Sequence, residues 1–184
     1  LLGTQAFVGW YMVESGLVGR VDVSQYRLAM HLTIAFIILG FIFYLLLDSN
    51  IRNIPKKYFL DKKNSELLFL SMFLLIFLQI AYGAFVSGTH SGLLFNTWPT
   101  YNGKLFPAIE NNEIKGVISI FEKGEYIIFL HRSLAILIFL FAIYLNIISY
   151  RRNAYLTNNI LLITFNITFV LQVILGILMT YQNI

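Results

Sequence analysis

Hydrophobic residues run along this chain in long blocks, and the charged and polar residues gather between them. Four blocks, residues 28–47, 67–86, 127–148 and 160–181, lie near the roughly 20 residues that a helix rising about 1.5 Å per residue needs to cross about 30 Å of hydrocarbon. A fifth, residues 1–13, is several residues shorter and has no charged segment before it, so it does not read as a signal peptide. It reads as a spanning helix whose beginning is missing. The expectation is an all-α membrane protein, a helical bundle with five transmembrane helices, cut at both ends from a longer chain.

Composition strengthens this reading. With 58% hydrophobic residues, 12% charged and a mean hydropathy of +0.75, the apolar side chains are too many for a soluble surface to hide. Cysteine is absent, which excludes disulfides, thiolate metal sites and covalent CxxCH haem attachment, and leaves histidine to carry any metal chemistry. The net charge of +4 does not call for nucleic acid, because the basic residues sort by loop. Arg52, Lys56, Lys57, Lys62 and Lys63 crowd one connection, and Arg151 and Arg152 another. Residues 87–125 set three lysines against Glu110, Glu113, Glu122 and Glu125, while residues 14–25 hold Arg20 alone. Basic loops face the cytoplasm, so the first, third and fifth helices run outward and the second and fourth return.

A repeat underlies this alternation. Gln5 and Gly9, Gln79 and Gly83, and Gln172 and Gly176 place Gln-x-x-x-Gly on the three outgoing helices. On the returning helices a shift of 100 positions aligns Tyr26, His31, Ala35, Ile38, Phe41, Tyr44 and Leu45 with Tyr126, His131, Ala135, Ile138, Phe141, Tyr144 and Leu145. His31, Ala35, Ile38 and Leu45 share one helical stripe, as do their counterparts, and the stripe is expected to face the bundle interior. The repeat is parallel, about an axis along the membrane normal. Residues 1–48 read as part of an N-terminal half, 49–65 as a cytoplasmic linker, and 66–184 as part of a C-terminal half lacking its last helix. Gln172 and Gly176 are expected to open a third hairpin whose returning helix lies beyond this chain.

Each histidine lies five residues past an interfacial tyrosine, roughly 7 to 8 Å inside the outer boundary. An ionisable residue repeated at this depth is read as functional, against the alternative of a neutral histidine hydrogen-bonded to a neighbouring helix. Without cysteine or clustered carboxylates, haem is the metal centre that suits so apolar a site. Ala35 and Ala135, one turn along, leave room for a macrocycle. Arg27 and Arg132 are candidates for the haem propionates, with snorkelling to the headgroups as the alternative. Glu14 reads as solvated. His90, among Gly and Ser in an outer loop, reads first as a solvated residue. Farther along that loop, Ile109, Ile114, Val117, Ile118 and Phe121 suggest a short helix on the membrane surface, covering a cofactor mouth.

Taken together, QAFVGWYMVESGLV from Gln5, VSQYRLAMHL from Val23, GAFVSG and FNTWP between Gly83 and Pro99, FLHR from Phe129 and LQVILGIL from Leu171 resemble the haem A synthase family. The resemblance covers all five helices. It implies an eight-helix bundle of two four-helix halves, of which this chain matches helices three to seven, in a bacterial plasma membrane or a mitochondrial inner membrane. It implies that His31 is one ligand of the substrate, haem O, and His131 one ligand of a resident haem b. The reaction implied is oxidation of a haem methyl to a formyl group by successive hydroxylations. The glutamate and histidine that the family links to the chemistry would precede Leu1, so no catalytic residue is assigned here, and a fourth histidine would follow Ile184. Haem O synthase and an electron donor are candidate partners, beside the lipid bilayer, and a homo-oligomer stays open. Where the family leads one to expect Asp in the GAFVSG-THSG segment, this chain has His90, and without cysteine the outer-loop disulfide of some members cannot form here. Two rival readings stand: an electron-transfer cytochrome in which both histidines ligate one haem, and a transporter whose histidines line a solute path.

Overall fold

The computed structural model describes residues 1–14, 22–51, 62–108, 116–151 and 159–181. The chain is helical where the apolar blocks predict it, because backbone N–H and C=O groups in hydrocarbon must be satisfied within the segment itself. The helices are α1 (Leu2–Glu14), α2 (Gln25–Ile51), α3 (Lys62–Gly88), the short α4 (Ser119–Glu122), α5 (Gly124–Arg151) and α6 (Asn159–Tyr181).

Among the described residues four helices are long and apolar enough to cross a membrane, over Gln25–Leu46, Leu70–Gly88, Gly124–Ile148 and Ile163–Tyr181. The chain is an integral membrane protein by this measure. The fifth expected span is not among them. α1 has 13 residues, about 20 Å at 1.5 Å per residue, which falls short of the hydrocarbon thickness.

Packing runs laterally from α1 to α2, α3 and α5. At the end of the bundle that carries α4, Ala29, Tyr82, Ala84, Phe85 and Ile127 form one buried cluster joining α2, α3 and α5. Small residues bring the backbones together there: a Cβ at Gly88 would lie 2.7 Å from the Gln25 Cα, so α2 and α3 cross at a distance only glycine permits. Toward the other end Met72, Ile138 and Ala142 make a second cluster between α3 and α5. α6 leans on this one through Phe169, which stacks on Phe139, and through reciprocal amide hydrogen bonds between Asn146 and Asn166 of 3.0 and 2.9 Å. Most of α6 is exposed.

Burial repeats along α2 and α5. His31 and His131 are half-buried, Ile38 and Ile138 buried, and the residues on either side of each isoleucine exposed. The predicted interior stripe holds as far as Ile38 and then departs, since Leu45 is exposed.

Of the connection between α3 and α5, in which the sequence suggested a helix on the membrane surface over Ile109, Ile114, Val117, Ile118 and Phe121, the described residues include one short helix. α4 is four residues long. Val117 and Ile118 are exposed, whereas Phe121 turns inward onto Tyr82 and Phe85. Ile109 and Ile114 lie outside the described residues, as do Arg20, Arg52, Lys56, Lys57, Glu110, Glu113 and Arg152.

Candidate functional site

Two helix pairs hold the two histidines in the same way. His31 on α2 faces α1, where Gln5 Nε2 lies 3.2 Å from both ring nitrogens and donates to the His31 carbonyl oxygen at 3.1 Å. His131 on α5 faces α3, where Gln79 Nε2 lies 3.3 Å from both ring nitrogens. One turn beyond each glutamine a glycine opens the space that the ring edge enters. A Cβ at Gly9 would stand 3.0 Å from His31 Cε1, and one at Gly83 would stand 3.4 Å from His131 Cε1. The Gln-x-x-x-Gly motif seen in the sequence is thus a seat for an imidazole. Each ring lies against the facing helix of its pair.

Each glutamine also carries an unresolved polar demand. Gln5 Oε1 and Gln79 Oε1 are buried and have no hydrogen-bond partner among the described residues. Buried acceptors are nearly always paired, so two orphans at equivalent places, each beside a histidine, stand out. The third motif, Gln172 and Gly176 on α6, is exposed, with nothing within 4 Å of a Cβ built at Gly176.

The residues here fit haem. The imidazoles are half-buried at matching positions, Ala35 and Ala135 follow one turn on, and the surroundings are apolar. Among the described residues no group of three or more His, Cys, Asp or Glu could hold a bare ion. Neutral imidazole in such surroundings suits an iron porphyrin better than a charged metal that needs carboxylates.

The two arginines take different places. Arg27, one turn outward from His31, stacks its guanidinium over the Tyr11 ring of α1 at 5.2 Å. Arg132, beside His131, is buried and donates to three loop carbonyls: Nη1 to Thr97 at 3.0 Å and Thr100 at 3.3 Å, and Nη2 to Phe95 at 3.1 Å. It also lies 4.8 Å from the centroid of Tyr101. The sequence offered Arg132 as a propionate candidate, with snorkelling as the alternative; among the described residues its acceptors include these three backbone oxygens.

That loop is built for the purpose. Phe95, Tyr101 and Ile128 bury one another. Tyr101 and Lys104 exchange backbone hydrogen bonds of 2.8 and 3.2 Å around Asn102 and Gly103, both with positive φ. Asn-Gly is the pair a tight two-residue turn of this hand demands, and it is the signal by which the sequence could have revealed the turn. Burial pushes the Tyr101 hydroxyl above the usual phenol range, with Arg132 pulling the other way. From α6, the Tyr181 hydroxyl donates to the Trp98 carbonyl oxygen at 3.0 Å.

Two further contacts gather the outer ends of the helices. Glu122 accepts hydrogen bonds from the Tyr26 hydroxyl and from Gln25 Nε2, tying α4 to the start of the helix that carries His31. His90 Nε2 lies 3.6 Å from Asp22 Oδ1, with both side chains mostly exposed, so this pair contributes little to stability. Glu14 is exposed.

Comparison with known proteins follows the same lines. The family model for cytochrome oxidase assembly proteins, COX15-CtaA, matches residues 1–184. The chain is 40% identical over 178 residues to the Heme A synthase of Pelagibacter ubique (strain HTCC1062), covering 97% of this chain and 51% of that protein. It is 37% identical over 175 residues to the Heme A synthase of Wolbachia pipientis wMel, covering 95% and 47%. The chain thus spans about half the length of these relatives. No solved structure matches. The chain belongs to the COX15-CtaA family of cytochrome oxidase assembly proteins.

Proposed function

We propose that this chain forms about half of a haem A synthase, which oxidises a methyl group of haem O to the formyl group of haem A in a bacterial plasma membrane. The observation that carries this reading is the doubled seat, His31 against Gln5 and Gly9, and His131 against Gln79 and Gly83, in separate helix pairs. One haem shared by both histidines would need both rings turned to a common gap. Two rings facing two different helices favour two sites.

In this account His31 holds the substrate haem O, and His131 holds a resident haem b. Bound haem supplies the redox chemistry, and the chain's own residues ligate, orient and keep the site dry. Two successive hydroxylations of the methyl carbon, each inserting one atom of dioxygen while two electrons from the donor and two protons reduce the other atom to water, followed by loss of water, leave the formyl group. Arg27, with a guanidinium that makes no hydrogen bond among the described residues, is the direct propionate partner; Arg132 serves the same outer edge through the loop it fixes. The two halves are related by the parallel repeat, residues 1–48 and 66–184 about a cytoplasmic linker at 49–65. Haem O synthase as supplier and a membrane electron donor are the partners the reaction requires.

The test is pigment analysis of cells lacking their own copy of the gene and carrying the full chain with His31→Ala. Haem A is expected to disappear and haem O to accumulate, while the purified variant keeps the absorption band of haem b. Normal haem A in these cells would overturn the assignment. Loss of all haem from both His31→Ala and His131→Ala proteins would favour a single-haem cytochrome.

A further inference from the structure

The two orphaned amide oxygens carry an inference about how the histidines are tuned. A histidine that binds iron through one ring nitrogen carries its proton on the other, and that N–H needs an acceptor, whose identity fixes the tautomer and the basicity of the ligand. At both seats the group beside the ring nitrogens is a glutamine amide: Gln79 Nε2 is 3.3 Å from each nitrogen of His131, and Gln5 Nε2 is 3.2 Å from each nitrogen of His31. In this orientation the amide offers a donor. Its other end, Oε1, is buried without a partner among the described residues in both cases.

The two ends of a primary amide have nearly the same shape, so a half-turn about the terminal bond exchanges donor for acceptor without moving the helix. We propose that Gln79 and Gln5 are positioning residues for the haem-ligating histidines, each presenting Oε1 to the Nδ1–H of its imidazole once Nε2 is engaged by iron. At the His31 seat Gly9 completes the device by letting the ring edge reach the amide, since a Cβ there would stand 3.0 Å from Cε1; at the His131 seat a Cβ on Gly83 would make only an ordinary contact at 3.4 Å. The proposal rests on the ligation reading above.

The two seats differ in one bond. Gln5 Nε2 also donates to the His31 carbonyl oxygen at 3.1 Å, so turning this amide over breaks a hydrogen bond, whereas Gln79 has no such tie among the described residues. The His131 seat is therefore the readier to adopt the ligand-supporting orientation. That asymmetry suits one site that keeps its haem and another that must release a product.

The test uses the full chain with Gln79→Leu, Gln79→Glu and His131→Ala, read by haem retained on purification and by the midpoint potential of the haem that His131→Ala loses. Gln79→Leu is expected to weaken haem retention about 10- to 100-fold. It also raises the potential of the haem that remains, because a less basic imidazole stabilises ferric iron less. Gln79→Glu keeps an acceptor at the same place and is expected to retain haem, with a potential at or below that of the unsubstituted protein. Unchanged retention and potential in Gln79→Leu would overturn the proposal, and so would equal loss of haem from Gln79→Leu and Gln79→Glu, which marks a merely structural glutamine. Full haem content in His131→Ala would defeat the ligation reading itself, whatever the glutamine variants do.

Discussion

At the scale of single residues, the glycines and arginines make distinct demands. A Cβ at position 9 would lie 3.0 Å from the His31 ring, tighter than ordinary packing, while one at position 83 would make a normal contact at 3.4 Å with His131. Gly9→Ala is therefore expected to displace its histidine at about 1–3 kcal/mol, the usual range for overpacking, and Gly83→Ala to be nearly silent. Haem O retained by purified Gly9→Ala and haem b retained by purified Gly83→Ala distinguish them; equal losses at both sites would contradict this geometry. Arg132 donates to three backbone oxygens of this loop, of which Thr100 O also accepts from the Thr97 hydroxyl at 2.9 Å. Arg132→Ala is expected to loosen residues 95–104 at about 1.5–3 kcal/mol, the worth of a hydrogen bond to a charged group. Lys, with a compact ammonium in place of a planar fork, is expected to restore only part of this. Limited proteolysis within this loop reports the difference. Wild-type resistance in Arg132→Ala would remove its role as a clamp.

At the scale of helices, close approach and buried amides set the register. Gly88 meets backbone, not a flexible side chain, at Gln25, so Gly88→Ala must push α2 from α3 and is expected to cost about 1–3 kcal/mol in unfolding experiments in detergent. The Asn146–Asn166 pair joins α5 to α6, and such bonds between membrane helices contribute about 0.6 kcal/mol on average and up to about 1.7. Replacing either asparagine by leucine is expected to cost within this range, and replacing both no more than replacing one, because the second loss removes a bond already broken. Strict additivity would show that the amides do not pair. The long helices were legible because a backbone in lipid has few alternatives to a helix. α1, read from the sequence as a spanning helix whose beginning is missing, has 13 residues here and is not among the four candidate spans. The loop turn and the Glu122–Tyr26 contact escaped notice because they depend on which distant backbones meet, and hydropathy carries no such information.

For the whole molecule, the repeat of Gln, Gly and His was visible as spacing, yet its meaning was not. Sequence alone placed His31 and His131 at one depth; it did not reveal that the glutamine and glycine on the preceding helix are what each imidazole touches. Nor did it separate the arginines, since identical side chains near identical histidines differ only through Tyr11 and the Phe95–Thr100 carbonyls beside them. The account makes two seats into two haem sites, one for substrate and one for a resident cofactor. The most direct test is the haem-to-protein ratio of the full chain, purified after expression with haem O synthase, as wild type, His31→Ala, His131→Ala and the double variant. Independent sites predict that each single variant loses a different pigment, haem O or haem A in the first and haem b in the second, and that the double variant loses both. The same pigment lost from both single variants would contradict the account.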